Sequence, residues 1–173
     1  MKNRGRICAW GQIYIMDKVM KMCLFHDLGE AIAGDVPCFN KGSEDEENEE
    51  KAIAQILGML DDELRAELED LFNEMKEQKS KEARLFKALD MLKAVIQHNE
   101  APIETWIPLE YELNKTYGSE EAKGIGILEE LREIAKMDTI SKINKCQDNK
   151  HLIKTCIIEG EEYDKQDYYK QDA

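Results

Sequence analysis

Apolar residues recur at three- and four-residue steps along most of this chain, and that period commits it to helices. From Ile13 to Ala33 the set Ile15, Val19, Met22, Cys23, Phe25, Ala31 and Ile32 follows the period, with Lys18 and Lys21 on the other side. One helix is expected there, or two joined near Gly29. It should stop at Gly34-Asp35-Val36-Pro37, where a glycine precedes a proline that biases its predecessor away from helix. An acidic run from Ser43 to Glu50 then leads into a helix that Ser43 would cap and whose dipole suits the carboxylates. Ile53, Ile56, Leu57 and Leu60 mark that helix, and Leu64, Leu68, Leu71, Phe72 and Met75 mark the next. A further helix is predicted from near Ser80 to about Asn99, through Ala83, Phe86, Leu89, Leu92 and Ile96. Pro102 and Pro108 impose an extended or turn-like segment. The last helix is expected from about Glu120 to Met137, with Gly124 and Gly126 weakening its first turn by roughly 1 kcal/mol each.

The period is lost beyond Cys146, so residues 1–145 read as one all-α domain and 146–173 as an acidic, partly disordered tail. A chain of 173 residues is long enough for one real core and too short for two full domains. Aromatics at 7% and only 3 prolines also argue against a sheet-rich fold. The 24 Lys and Arg stand against 37 Asp and Glu, a net charge of −13, which argues against a partner such as a nucleic acid polymer bound through an overall positive field. The apolar stretch after the N-terminus is interrupted by Gln12, Asp17, Lys18 and Lys21, so it reads as neither a signal peptide nor a membrane span. Five cysteines without C-x-x-C spacing favour a reducing, cytoplasmic setting.

The chemistry concentrates in Phe25-His26-Asp27-Leu28-Gly29-Glu30 and the following Gly34-Asp35. Adjacent His26 and Asp27 place a nitrogen and an oxygen donor about 100° apart around a helix axis, near enough to chelate one ion. Glu30, about one turn on, could poise a water rather than bind the ion itself. Four ionisable groups beside an apolar segment are costly to bury without a metal or mutual hydrogen bonds. Spacing alone favours a capped, partly exposed helix end over a metal site. Asp90 stands on or next to the apolar stripe of its helix, three residues after Lys87. Either it pairs at the rim with Lys87 or Lys93, or an ion held by His26 and Asp27 compensates it. His98, about 12 Å farther along the same helix, is too distant to join that set and reads as a packing or pocket-edge residue. His151 reads as a surface residue, and Cys23 as a core thiol.

Taken in order, His26-Asp27, Glu30, Gly34-Asp35 and Lys87-Ala88-Leu89-Asp90 resemble the HD-domain superfamily of metal-dependent phosphohydrolases. Gln97-His98-Asn99-Glu100-Ala101 and Thr105-Trp106-Ile107-Pro108-Leu109-Glu110 resemble its 5'-deoxynucleotidase-like branch, and the likeness runs from about Lys18 to Lys142. The resemblance implies a compact helical bundle holding one divalent ion (Mn, Co, Mg, Fe or Zn). It also implies hydrolysis of the 5'-phosphate from a nucleoside monophosphate, most simply a deoxynucleotide. By position it makes His26, Asp27 and Asp90 the metal ligands and Glu30 the residue that orients the attacking water, and it sets Asp35 near the sugar and leaving oxygen. The family has another histidine on an earlier helix, whereas none precedes His26 here, so the N-terminal part of the domain is expected to be missing or divergent. The competing reading is a catalytically weak or silent HD-domain remnant serving as a binding or oligomerisation module. A homodimer is a further expectation.

Overall fold

A computed structural model of the chain describes residues 6–9, 12–36 and 42–158, with side chains at 13–36 and 42–147. Expectations for Pro37, Cys38, the side chains of Cys8, His151 and Cys156, and residues 159–173 lie outside what is described. The architecture is a helical bundle, as the period requires. Its exception is a hairpin in which β1 (Arg6–Ala9) pairs antiparallel with β2 (Gln12–Ile15). The expected helix therefore starts later than Ile13, as α1 (Met16–Phe25). In extended conformation Tyr14 faces inward, 3% exposed, while Ile13 and Ile15 face outward, a period of two that the flanking helical period masked.

The break near Gly29 is present. His26 to Gly29 form a turn before the short α2 (Glu30–Ala33), which ends at Gly34 in a left-handed conformation, φ 86°. Gly29 itself is needed for close approach, because a Cβ there would lie 2.7 Å from Glu49 Cγ. That glutamate belongs to α3 (Ser43–Leu57). The N-cap of α3 is Gly42 rather than Ser43, and the Asp45 carboxylate accepts from the Gly42 N–H at 2.9 Å. The acidic run thus caps the helix through its third position.

Helix α4 (Asp62–Glu77) is capped by Asp61, whose side chain accepts from Leu64 N–H. Helix α5 (Lys81–Glu100) is capped in the same way by Ser80, accepting from Ala83 N–H. The core gathers on α5. Ala83, Leu85, Phe86, Ala88, Leu92 and Val95 are all buried, and they meet Val19 and Met22 of α1 and Leu68, Leu71 and Met75 of α4. Buried Glu82 accepts from the Ile15 N–H at 3.0 Å and ties the start of α1 to the start of α5. This bond fixes the axial relation of the two helices that carry the candidate ligands.

After a 3-10 turn at Ile103–Thr105 and the short α6 (Glu110–Leu113) and α7 (Ser119–Ala122), the long α8 (Ile127–Ile158) closes the bundle. The helix expected from Glu120 to Met137 is thus divided. Gly124 and Gly126 both take positive φ, 74° and 44°, and break it before Ile127. It also runs well past Met137, because Ile143 and Cys146 pack on a second apolar cluster formed by Ile103, Trp106 and Tyr111. Fully buried Arg132 of α8 donates to the carbonyls of Tyr117 and Asn114, at 2.7 and 2.9 Å, and pins the 114–118 segment. Among the described residues no helix is long and apolar enough to cross a membrane.

Candidate functional site

His26 terminates α1 and Asp90 sits in the middle of α5, and the packing of these two helices brings their side chains together. His26 Nδ1 lies 3.0 Å from the Cys23 carbonyl, one helical turn back, so Nδ1 carries the proton and donates. The lone pair of Nε2 is thereby turned toward two carboxylates, Asp27 Oδ2 at 2.9 Å and Asp90 Oδ1 at 3.4 Å. The Phe86 ring stands edge-on to the imidazole at 5.3 Å and walls it from the core side. Nε2 is buried and makes no well-directed hydrogen bond. Three acceptor atoms facing one another repel unless a proton or a cation sits between them.

The titration behaviour expresses that demand. Burial alone would lower the His26 pKa, but the contact with Asp90 and the charge of Asp27 outweigh it and raise the imidazole above its ordinary value. Burial likewise pushes the Asp90 carboxyl up, and the His26 contact together with the Lys87 ammonium overcomes it, holding Asp90 down at about 2. Lys87 Nζ donates to Asp90 Oδ2 at 3.1 Å, and Lys93 Nζ lies 3.9 Å from Asp27 Oδ2. Asp90 therefore has the rim partner that the sequence offered, Lys87, and also the imidazole of His26 beside it. Among the described residues no three His, Cys, Asp or Glu side chains form a ready-made coordination cage; the two carboxylates are engaged with the imidazole and the lysines.

Asp27, Lys87, Asp90 and Lys93 line a cleft of about 600 Å³. Glu30 and Asp35 line it with Asp27 and Asp90, so the four carboxylates singled out from sequence share one cavity. Its other end, along α5, is formed by Gln97 and His98 with Glu110 and Tyr117. His98 is indeed at the pocket edge. Cys23, by contrast, is exposed rather than a core thiol, and it serves the site through its carbonyl. Sequence reasoning left Lys87 and Lys93 as mere charge partners of Asp90 and gave Glu110 no role. The spacing of Lys87, Asp90, Lys93, Ala94 and Gln97 at steps of three and four, a single face of α5, was the signal available.

This helical frame, with a histidine-aspartate pair closing one helix and an aspartate on a second, is that of an HD domain. The HD domain family matches residues 13–132, and the chain belongs to that family. Among characterised proteins the chain is similar to 5'-deoxynucleotidase HDDC2 of Danio rerio, 43% identical over 86 residues, which are 49% of this chain and 43% of that protein. The proteins of the same name from Mus musculus and Homo sapiens are each 37% identical over 86 residues, again 49% of this chain and 43% and 42% of theirs. The match thus spans less than half the length of these curated relatives. No solved structure matches the chain significantly.

Proposed function

We propose that this chain is a divalent-metal-dependent phosphomonoester hydrolase acting on nucleoside 5'-monophosphates, deoxynucleotides foremost. The observation that carries the reading is the buried Nε2 of His26, aimed between two carboxylates at 2.9 and 3.4 Å with no well-directed hydrogen bond to either. His26, Asp27 and Asp90 are the residues that would hold the ion, and their nitrogen and oxygen donors suit Mn, Fe, Co, Zn or Mg. When bound, such an ion supplies charge neutralisation at the phosphate and acidifies water toward neutrality. Three protein donors suffice for a catalytic site and leave room for substrate.

The remaining work falls to side chains of the cleft. Glu30 orients the attacking water and takes its proton, and Lys87 and Lys93 offset the phosphate charge on a protein whose net charge is −13. Asp35 stands at the leaving-oxygen side of the cleft. The homologues' name supports the substrate class, since the matched stretch includes relatives named 5'-deoxynucleotidase. The test is a phosphate-release assay on deoxynucleoside 5'-monophosphates with a panel of divalent ions. Ion-dependent release that EDTA abolishes supports the reading; no release with any ion refutes it.

A further inference from the structure

A second cavity, of about 580 Å³, shares only Lys87 with the cleft of Asp27 and Asp90. Its volume lies in the range of small-molecule sites. Helix α5 contributes Lys81, Arg84 and Lys87 to its lining at three-residue steps, about 4.5 Å of axial rise each. Glu120 and Glu121 of α7 and the following Lys123 also line it. Four cations thus stand against two carboxylates. That is the reverse of the chain as a whole, where 24 Lys and Arg face 37 Asp and Glu.

The chain leaves much of this positive charge uncompensated. Lys81 donates to the Ile13 carbonyl and lies 5.7 Å from the centre of the Tyr14 ring, and both of these partners are neutral. Arg84 is exposed, and among the described residues neither Arg84 nor Lys81 forms an ion pair with a carboxylate. Lys87 is offset by Asp90 at 3.1 Å. Lys123 lies 3.6 Å from Glu120, but both side chains are largely exposed, so that pair is weak. A guanidinium flanked along one helix by two ammonium groups suits an anion whose charge is spread over several linked groups. Arg84 can offer its planar fork to one phosphate while Lys81 and Lys87 act as point charges on its neighbours. A single carboxylate would engage one of the three and leave the others unanswered.

We propose that this cavity binds an oligophosphate chain, free or carried by a nucleotide, with Arg84 as its main anchor. The site is separate from the hydrolase reading of the cleft and does not depend on it. The test is calorimetric titration of the full chain, in EDTA, with tripolyphosphate, deoxyadenosine 5'-triphosphate and orthophosphate. Tripolyphosphate should bind one to one and at least about tenfold more tightly than orthophosphate. Arg84→Gln should weaken it by about tenfold or more. Lys93→Gln, which alters the lining of the other cleft alone, should leave it unchanged. Arg84 and Lys93 are both exposed, so neither substitution threatens the fold. Tighter binding of the nucleotide than of tripolyphosphate would make the nucleoside part of the ligand, and equal binding would make it the phosphate chain alone; either supports the site. No binding of either oligophosphate would overturn the proposal. So would binding that Lys93→Gln weakens as much as Arg84→Gln does, because the anion would then occupy the cleft of Asp27 and Asp90.

Discussion

The His26 imidazole stands 3.4 Å from the Asp90 carboxylate, although one residue closes α1 and the other lies mid-way along α5. The relation depends on Glu82 fastening the start of α1 to α5 and on Val19 and Met22 packing against the α5 face that carries Phe86. Asp90→Asn keeps the size of the side chain and removes its charge. It should weaken Mn binding by 10-fold or more, measured by equilibrium dialysis, because a neutral amide is a poor ligand for a hard cation. Affinity unchanged by the substitution would remove Asp90 from the site.

Glu30 and Asp27 should separate metal holding from proton transfer. Glu30→Ala is expected to lower turnover by about 10²- to 10⁴-fold while metal content stays near that of the parent chain. Asp27→Ala should empty the site and abolish turnover together. Metal analysis of both purified variants distinguishes the roles, and an emptied Glu30→Ala protein would show that Glu30 is itself a ligand.

The metal-free protein should show the His26–Asp90 pair in the pH dependence of its stability. A histidine whose pKa is raised by folding stabilises fully below its unfolded value and ceases to do so as pH rises through the folded one. An aspartate lowered from 3.8 to about 2 stabilises above its unfolded value and ceases to do so as pH falls toward 2. The two windows overlap between about pH 4 and 6.5. Urea unfolding in EDTA should therefore find Asp90→Asn destabilised by on the order of 2 kcal/mol near pH 5.5 and by less near pH 8.5. A larger penalty at the higher pH would contradict the pairing.

Gly118 offers a test of the packing behind the cleft. Its φ is 76°, and a Cβ there would lie 2.9 Å from Met91 Cβ on α5. Gly118→Ala combines left-handed strain with overpacking and should cost about 1–3 kcal/mol, read as a lower urea midpoint at an unchanged slope.

Helices α3, α4 and α5 were legible because each has one apolar face; Asp61 and Ser80 cap α4 and α5, whereas α3 starts from Gly42 and not from the Ser43 cap its acidic run suggested. The hairpin was not, since Ile15, Val19 and Met22 fit a helical spacing as well as Ile13 and Ile15 fit an alternating one. The length of α8 was partly legible: Ile140, Ile143 and Cys146 keep a three-residue step, but the cluster of Ile103, Trp106 and Tyr111 that Ile143 and Cys146 pack on lies in a proline-broken segment with no period. His26, Asp27, Glu30 and Asp90 stood out as charges beside apolar neighbours. The roles of Lys87 and Glu110 did not, because a charged residue on a helix reads the same whether its side chain faces solvent or a cleft. Only the packing of α5 against α1 and of α6 beside it decides between the two.

The central claim is that one divalent ion is held jointly by His26, Asp27 and Asp90. Crystals of the full chain grown with Mn, measured at a wavelength where that metal scatters anomalously, test it directly. The account predicts one strong anomalous peak within about 2.0–2.3 Å of His26 Nε2 and of an oxygen from each aspartate. A saturating Mn concentration that leaves this position without a peak, or a peak that Asp90 does not touch, would contradict it.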